Sequence, residues 1–477
     1  MKTFAAFSIV REQSLGKTMP MQILLTGATG FIGKSLGIEL VRAGHSLTVL
    51  TRNPKSTRAE LPFPAHILAW DSEDSLANID AVFHLAGESI ANGRWTKKQK
   101  AKILSSRTLT TKNLIERLRK SKASPKAFIA ASAIGYYGDQ SDSTLLEDSP
   151  RGEGFLADVC VAWEKEINGA KELGARVVIL RFGMVLGKGG GALEPILPLF
   201  QRCLAGKLGS GRQWTSWIHR EDLIRICVQA LDSEKIKGVY NTVSPNPITN
   251  QEFTREIAAQ MKLPAFLPAP SFALKLMLGE MSSIILASQR VSAEKILQTG
   301  FQFHFPDFTS AMKNILETSV ANIHRPHHEF IAEQWFPQPI TEIFPFFADA
   351  KNLEEITPPF LHFKVLEKEI KIQKGTLINY RLRIHGVPVF WRTEIARWEP
   401  GIAFTDQQLK GPYNRWIHTH TFEELAGGTL MRDRVIYKLP FGLLGDIFAH
   451  WKVAKDVKMI FQYRRVTIDK VFNRNDQ

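Results

Sequence analysis

An apolar run that breaks into three evenly spaced glycines constrains this chain more than any other segment. The sequence ILLTGATGFIG covers residues 23–33 and contains Gly27, Gly30 and Gly33. Its apolar start is typical of a buried strand, and the apolar spacing of residues 31–45 is typical of a helix. The glycines therefore fall on a strand-to-helix turn, where they permit a tight turn and let backbone N–H groups approach a pyrophosphate. This position favours a dinucleotide site over a loop in which glycine serves turn geometry alone.

The succession of strand and helix signals predicts an α/β fold in more than one domain. The signals alternate from residue 21 to about residue 185, which predicts a doubly wound parallel sheet with helices on both faces. At 477 residues the chain is too long for one ordinary core, so we expect two or three domains. Its 44% apolar and 23% charged residues are typical of globular proteins.

Five motifs together resemble the extended short-chain dehydrogenase/reductase superfamily, of the sugar-nucleotide epimerase type. They are the glycine segment with Thr26 and Phe31-Ile32, HLAG at 84–87, ASAIGYYG at 131–138, LRFGMVLG at 180–187 and WIHREDL at 217–223. The resemblance covers about residues 21–315. It implies a Rossmann-type cofactor domain over 21–320, with a substrate subdomain over about 186–320. Residues from about 265 to 315 resemble the short C-terminal element of the branch called epimerase family proteins.

The same resemblance implies which residues bind the cofactor. Those on the glycine turn and after the fourth strand are Thr26, Gly27, Thr29, Gly30, Phe31, Ile32, Gly33, Leu85, Ala86 and Gly87. Arg52 stands after the second strand, where the NAD-binding version carries an acid that bonds the ribose hydroxyls. An arginine can grip a 2′-phosphate with two hydrogen bonds, so we expect NADP(H) rather than NAD(H). The alternative is that Arg52 is ordinary surface charge.

The catalytic pattern of that superfamily is present only in part. Its members use a serine and then a Tyr-x-x-x-Lys pair on the next helix. Ser132 matches the serine, but the expected helix has Leu156 and Cys160 where the pair should stand. Shifting the register by one residue in either direction supplies no tyrosine or lysine. Tyr136 and Tyr137 are the nearest candidate proton donors, and a structural role is the alternative for each.

A polar segment, residues 321–329, predicts a linker to a second domain. It contains His324, His327 and His328, but neither cysteine nor carboxylates at metal-ligand spacing. We therefore interpret these histidines as solvated linker residues and predict no metal site.

From residue 330 to 477 the pattern predicts an antiparallel sheet followed by a long helix. A helix-like stretch over 340–356 precedes six alternating runs with short turns, and a final helix covers about 441–472. This order resembles the helix-grip fold of START and polyketide-cyclase-like (SRPBCC) domains. The resemblance implies an apolar cavity between sheet and helix. Aromatic residues that either line it or form plain core are Tyr380, Trp391, Trp398, Trp416 and Phe422.

Composition narrows the cellular context and the kind of partner. The three cysteines form no CxxC pair, which excludes a disulfide framework and favours the cytoplasm. No uninterrupted apolar run reaches ~18 residues, so we predict no membrane span. For residues 1–20 we expect a disordered extension or an early start codon rather than a signal peptide.

The net charge of +14 is concentrated between Arg94 and Lys126, where 12 Lys or Arg accompany one acid. We expect two helices here with solvated basic faces; attraction of a phosphorylated cofactor is the alternative. Only Trp95 is available to stack on bases, so we predict no nucleic-acid partner.

Two functions fit these patterns. The first is an NADP(H)-dependent oxidoreductase or epimerase-like enzyme with atypical proton transfer, acting on a small-molecule substrate. The second is a non-catalytic module that senses a nucleotide and carries an apolar ligand. The intact cofactor and substrate-half motifs favour the enzyme, whereas the missing tyrosine and lysine favour the binding module. We favour the enzyme.

Overall fold

Strands and helices alternate through the first two thirds of the chain. The computed structural model describes residues 19–317, 327–367 and 370–472. Up to residue 317 the strands are β1 (Gln22–Thr26), β2 (Ser46–Thr51), β3 (His66–Ala69), β4 (Ala81–His84), β5 (Ala127–Ala133), β6 (Thr144–Leu145), β7 (Arg176–Phe182), β8 (Met184–Leu186), β9 (Trp214–Thr215), β10 (Trp217–His219), β11 (Gly238–Thr242), β12 (Ile248–Thr249) and β13 (Arg290–Val291). The helices are α1 (Phe31–Arg42), α2 (Pro54–Glu60), α3 (Lys97–Lys120), α4 (Phe155–Asn168), α5 (Leu193–Gln201), α6 (Arg220–Asp232), α7 (Asn250–Met261), α8 (Ser271–Leu278), α9 (Ser283–Leu286), α10 (Glu294–Leu297) and α11 (Phe308–Leu316).

Seven of these strands form one parallel sheet in the order β11-β7-β5-β4-β1-β2-β3. Helices flank it, with α1 packed beside α6 and α3 beside α4. The central strand β1 is apolar because both faces of the sheet are covered: Ile23, Leu24 and Leu25 are fully buried. This is the predicted Rossmann-like arrangement. Strand order reverses between β1 and β4, and ligands of such sheets bind at the carboxyl ends of the strands beside that point.

The segment after β7 builds a smaller layer above the carboxyl ends of the sheet. It contains two two-stranded pairs, β8 with β10 and β9 with β12, and its β13 pairs with β6, which precedes β7 in the chain. Its own hydrophobic cluster is centred on Trp217, Phe253 and Phe308, and the rings of Trp217 and Phe308 meet edge to face at 5.2 Å. The cluster holds α7 and α11 together, and it gives the residues after 186 a core separate from that of the sheet.

The C-terminal part is a second, antiparallel sheet with a long helix. Its strands are β14 (His328–Phe336), β15 (Lys364–Val365), β16 (Leu377–Ile384), β17 (Val387–Glu399), β18 (Ala403–Lys410), β19 (Arg415–Leu425) and β20 (Gly428–Lys438), and its helices are α12 (Ile340–Phe347), α13 (Asn352–Glu355) and α14 (Gly442–Phe472). The strand order is β14-β20-β19-β18-β17-β16-β15. Val457 and Phe461 of α14 pack with Val435 and Tyr437 of β20, so the helix lies across the sheet.

Charged side chains join helix α1 of the N-terminal part to the antiparallel sheet. Arg42 of α1 pairs with Glu423 of β19, and Arg432 Nη1 lies 2.6 Å from the other oxygen of that carboxylate. Arg432 Nε also donates to Glu333 at 2.8 Å. Beside this network Leu425 and Leu430 are buried in the same cluster as the N-terminal core. The two parts therefore share apolar contact as well as ion pairs.

Two predicted elements differ from the structure. The basic segment after β4 is one helix, α3, and not two, because no breaker interrupts it after Thr96 caps its first turn. The stretch 340–356 is divided into α12 and α13. The final helix begins at Gly442, close to its predicted start.

The predicted linker lies mostly outside the described residues, as do residues 1–18 of the predicted N-terminal extension. The last residues of the predicted linker are buried and not solvated, since His327 and His328 are each only 4% exposed. Strand β14 begins at His328 and pairs with Tyr437 of β20. No helix in the described ranges is both long enough and apolar enough to cross a membrane.

Candidate functional site: a cleft at the glycine turn

The turn between β1 and α1 is packed so closely that side chains would not fit. Gly27 has a φ of +74°, and a Cβ there would lie 2.8 Å from the carbonyl carbon of Leu85. A Cβ on Gly33 would lie 2.2 Å from the carbonyl oxygen of Gly27. Gly30 donates its N–H to that same oxygen at 3.0 Å. Glycine is therefore required here both by the turn and by the close packing of α1 on β1.

The amino end of α1 offers the donors that a phosphate group needs. Gly30 precedes the helix and supplies no side-chain cap, and the first backbone N–H groups of a helix lack intrahelical acceptors. The helix dipole makes this end positive, and no acidic residue lies in the first turn. The donor set and the side-chain-free turn fit a pyrophosphate.

Thr26, a predicted cofactor residue, instead ties β1 to β4. Its side chain is fully buried, its Oγ1 lies 2.8 Å from Nδ1 of His84, and it accepts the N–H of Ala86 at 3.3 Å. Nε2 of His84 lies 2.8 Å from Oγ1 of Thr111. Burial lowers the pKa of His84 to about 4, so the ring is neutral at pH 7. Its hydroxyl is thus used within the protein, and contact of Thr26 with the cofactor stays a prediction.

The remaining predicted cofactor residues surround the opening of the turn. Those that line the adjoining cleft are Gly27, Gly30, Phe31, Ile32, Gly33, Leu85 and Gly87. Thr29, Ala86 and Arg52 are outside its lining, and Thr29 is exposed. The ring of Phe31 packs under the glycine loop 187–191, since a Cβ on Gly190 would lie 2.6 Å from it. The guanidinium of Arg220 covers the same ring at 4.5 Å.

Arg52 lies immediately beyond the end of β2, exposed to solvent. Since β2 is the parallel neighbour of β1, with Thr26 paired to Leu50, Arg52 is at the same edge of the sheet as the glycine turn. The pKa of the Glu88 carboxyl is lowered, mainly by its hydrogen bond from Lys102 and to a smaller extent by the charge of Arg52. Arg52 is thus close to the segment after β4, at the place where a cofactor ribose is bound in sheets of this kind.

The cleft that opens from the turn has a volume of about 1530 Å³. One wall is the carboxyl edge of the parallel sheet, and the other is the layer formed by residues after 186. Its charged lining residues are Arg107, Asp139, Glu153, Lys275 and Glu280. The lining, drawn from the described part of the chain, includes neither a tyrosine nor a histidine. Its chemistry therefore differs from that of a cleft built around a Tyr-x-x-x-Lys pair.

Ser132 is part of a buried hydrogen-bond network behind the cleft wall. Its hydroxyl donates to Oε1 of Glu164 at 2.6 Å. Glu164 accepts from Nε and Nη2 of Arg181, each at 2.8 Å. All three side chains are less than 10% exposed. Ser132, which matches the superfamily's catalytic serine, lines the cleft, but its proton is directed at a carboxylate inside the protein. Sequence patterns do not identify Glu164 and Arg181 as partners, because they lie on different elements, α4 and β7, and meet only in the folded protein.

The tyrosines after β5 point away from the cleft. Tyr137 is fully buried; its hydroxyl donates to Asn241 at 2.7 Å and accepts from Arg181 at 2.9 Å. Burial raises its pKa to about 12. The ring of Tyr136 stacks against the Arg181 guanidinium at 3.5 Å, and neither tyrosine is among the lining residues. The prediction that one of them donates a proton to substrate is therefore not supported by this geometry.

Leu156 and Cys160 lie together on the cleft wall, one turn apart on α4. Sγ of Cys160 donates to the carbonyl of Ala133 at 3.6 Å. Burial raises the thiol pKa to about 11, with Glu164 adding to the rise and Arg107 opposing it. A neutral thiol at pH 7 cannot supply the fixed charge of a lysine.

Arg107 of α3 is the cation that faces this part of the cleft. A Cβ built on Gly87 would lie 3.3 Å from its guanidinium carbon. Its Nη1 donates to the carbonyls of Glu88 and Ile103 at 3.0 and 3.1 Å, and its guanidinium lies 5.1 Å from the ring of Trp163. These contacts hold a positive charge beside the segment after β4.

A second cavity, of about 430 Å³, lies between the antiparallel sheet and α14. Of the aromatic residues named from the sequence, Tyr380, Trp391 and Trp416 line it, whereas Trp398 and Phe422 do not. Trp398 and Phe422 pack instead around Phe344 of α12, at ring distances of 5.3 and 5.2 Å. The cavity lining is mainly apolar, with a polar group formed by His418, His420 and Asp406.

Comparison with known proteins places the N-terminal part in a family. A family model described as NAD dependent epimerase/dehydratase family matches residues 23–242. A second, a domain of unknown function (DUF1731), matches residues 269–315. The latter coincides with the segment that resembled a short C-terminal element.

Relatives are similar over the same part of the chain. The epimerase family protein YfhF of Bacillus subtilis is 38% identical over 299 residues, which are 62% of this chain and 98% of that protein. The chloroplastic homolog of epimerase family protein SDR39U1 in Arabidopsis thaliana is 37% identical over 308 residues, 63% of this chain and 88% of that protein. The crystal structure of human epimerase family protein SDR39U1 (isoform2) with NADPH is 35% identical, with a TM-score of 0.56, and the match covers 62% of this chain and 99% of that one. The glycine turn, the parallel sheet and these similarities together show that the chain belongs to the NAD dependent epimerase/dehydratase family.

Proposed function

We propose that this protein is an NADP(H)-binding oxidoreductase of the epimerase family that works without the Tyr-x-x-x-Lys pair. The observation that carries the proposal is the side-chain-free turn at the amino end of α1, which opens into the large cleft. The crystal structure of the human relative with NADPH supports the same cofactor. Bound NADP(H) would supply or accept a hydride, and the cleft would hold a small-molecule substrate against it.

Arg52 supports the choice of NADP(H). It is exposed at the edge of the sheet that carries the glycine turn. A guanidinium there can form a bidentate pair of hydrogen bonds with a 2′-phosphate, whereas an acidic side chain at that position would repel the phosphate.

Within this proposal Arg107 takes the electrostatic role of the missing lysine. It lines the cleft beside Cys160 and Gly87, and its charge is fixed because its guanidinium stays protonated at neutral pH. A charge in that position would favour negative charge developing on a substrate oxygen or on a cofactor ribose hydroxyl. A proton donor would come from solvent or from the substrate, since the lining offers no tyrosine or histidine among the described residues.

The test of cofactor choice is a direct comparison of NADPH and NADH binding by the full-length protein. We expect NADPH to bind at least 10-fold more tightly. Arg52→Ala should reduce that preference severalfold and leave NADH affinity unchanged. Arg119→Ala is a matched control, since Arg119 is an exposed arginine near the carboxyl end of α3, whose only described ion pair is with Glu172. If the preference for NADPH over NADH is unchanged in Arg52→Ala, Arg52 does not bind the 2′-phosphate.

A second candidate function is a module that binds a nucleotide and an apolar small molecule without turnover. It is favoured by one observation, the mainly apolar cavity of about 430 Å³ in the C-terminal part. Native mass spectrometry of freshly purified protein tests both candidates. Copurified NADP alone supports the first, and a second bound small molecule supports the carrier role. Ile384→Trp, which places a large ring at a half-buried position in the lining, should displace that second molecule and leave NADP bound.

A further inference from the structure

Four polar side chains lie on one face of three neighbouring strands in the C-terminal sheet. Asp406 of β18 is directly opposite His418 of β19, and His420 is directly opposite Asp433 of β20. Residues opposite each other in an antiparallel pair share a face, as do residues two apart on one strand. The sequence His418-Thr419-His420 therefore directs both rings to the face that borders the cavity. That alternation was visible in the sequence, but its carboxylate partners come from other strands.

The three cavity-lining members of this group are spaced as metal ligands are. Nδ1 of His418 lies 3.5 Å from Oδ2 of Asp406, and Nε2 of His420 lies 3.6 Å from the same oxygen. One donor atom from each residue lies within 4.8 Å of the others. Ligands of a tetrahedral zinc ion at bond lengths of about 2.0–2.1 Å are about 3.3–3.4 Å apart. The group therefore needs only small side-chain movements to close around an ion.

Asp433 contacts both rings from the opposite side. Nε2 of His418 donates to Oδ1 of Asp433 at 2.9 Å, which leaves Nδ1 of that ring as a lone-pair donor facing Asp406. Nδ1 of His420 is 2.8 Å from the same Asp433 oxygen, although it is off the line of a hydrogen bond. A carboxylate behind the far nitrogen is the usual companion of a metal-bound histidine, because it fixes the tautomer and the ring orientation.

Burial and charge also suit a cation. His418, His420 and Asp433 are less than 9% exposed, and Arg464 of α14 is the nearby positive side chain that acts on Asp433. The group brings two carboxylates, Asp406 and Asp433, close to one guanidinium, Arg464. Facing lone pairs on Asp406 and the two rings repel each other unless a proton or a cation lies between them.

We propose that Asp406, His418 and His420 bind a divalent transition metal ion of the zinc type, held by three protein ligands. The fourth coordination position would face the cavity, as it does in sites where a metal binds an exchangeable ligand. Within the described ranges, no other group of three such side chains has this spacing. His385, which also lines the cavity, pairs with Asp456 at 2.8 Å, and the described part of the chain gives it no third partner of this kind.

The test uses the full-length protein, stripped with a chelator and titrated with Co²⁺, whose visible spectrum reports coordination geometry. We expect about one Co²⁺ per chain with the intense visible absorption band of tetrahedral coordination, and loss of that band when Zn²⁺ is added. Asp406→Asn, His418→Asn and His420→Asn should each weaken binding by at least 10-fold and abolish the band. His385→Ala is the control and should leave both unchanged.

Thermal unfolding of the metal-free variants separates a lost ligand from a lost fold. Asp406→Asn keeps the shape of the side chain, and we expect its metal-free melting temperature to match that of the parent within a few degrees. Failure of the parent protein to bind stoichiometric Co²⁺ would overturn the proposal. Binding that persists in the Asp406→Asn and His420→Asn variants would overturn it as well, because the ion would then lie elsewhere.

Discussion

The hydroxyl of Ser132 donates to Oε1 of Glu164, and the 2.6 Å bond turns the residue that matches a catalytic serine toward the protein interior. Glu164 is in turn held by two hydrogen bonds from Arg181. The serine thus joins the cleft wall to a buried ion pair. In this arrangement the hydrogen bond holds the serine against the wall, and proton transfer through its hydroxyl would have to disrupt the network.

Removing the cation of that pair should be costly. We predict that Arg181→Met lowers the free energy of unfolding by about 3–5 kcal/mol, because Glu164 is left buried and unpaired. The double variant Arg181→Met with Glu164→Gln should recover part of the loss, since the uncompensated charge is gone. Arg119→Ala breaks an exposed pair with Glu172 and should cost about 0–1 kcal/mol. Urea unfolding measures the free energy of unfolding of all three variants. A loss in Arg181→Met no larger than the loss in Arg119→Ala would contradict the prediction.

The glycine turn should not tolerate even one methyl group. Gly33→Ala places a Cβ 2.2 Å from a backbone oxygen, so we expect α1 to shift and NADPH affinity to fall by at least 10-fold. Gly169→Ala is the matched control: its φ is −59°, and its Cβ would meet only Ile115 at 3.6 Å. The control should bind NADPH normally and gain up to about 1 kcal/mol of stability. Equal NADPH affinities for the two variants would contradict the assignment of the glycine turn as the cofactor site.

Stability should decline in mild acid. Burial lowers the pKa of His84 to about 4 from its ordinary 6.5. The unfolded chain therefore binds a proton below pH 6.5 that the folded chain binds only near pH 4, so the free energy of unfolding rises with pH across this window. The full contribution of His84 is ~3 kcal/mol at most. His219 and His450, whose pKa values burial also lowers to about 4, add to the slope.

The measurement is urea unfolding at several pH values between 4 and 7. The slope of the free energy of unfolding against pH reports how many more protons the unfolded chain binds than the folded chain. His84→Gln should lower that number by up to one and leave the contributions of His219 and His450. A slope unchanged by the substitution would show that His84 titrates alike in the folded and unfolded chains.

Thiol reactivity should separate the three cysteines. Burial raises the pKa of Cys160 to about 11 and that of Cys227 to about 12, whereas Cys203 is half-exposed. At pH 8 we expect a disulfide reagent to modify Cys203 rapidly and the other two only on unfolding, because the thiolate is the reacting form. Cys203→Ser should remove the rapid phase. Cys160→Ala should bind NADPH within about 3-fold of the parent, and a larger loss would give the thiol a role in the cofactor site.

The sequence by itself determined the architecture around the cofactor. Apolar strands alternating with helices specified the parallel sheet, and Gly27 and Gly33 specified its first turn, because both patterns are local and each has few physical solutions. The antiparallel strands after residue 363 could be predicted from the sequence for the same reason, because short turns connect them.

Only the tertiary structure decided what the polar side chains do. The hydroxyl of Thr26 meets His84 across 58 positions in the chain, and that of Tyr137 meets Asn241 across 104. Likewise, Asp406 becomes a partner of His418 through strand pairing. A polar side chain in a core takes whichever partner satisfies its hydrogen bonds. That partner is set by sheet order and register, which residue spacing along the chain does not specify.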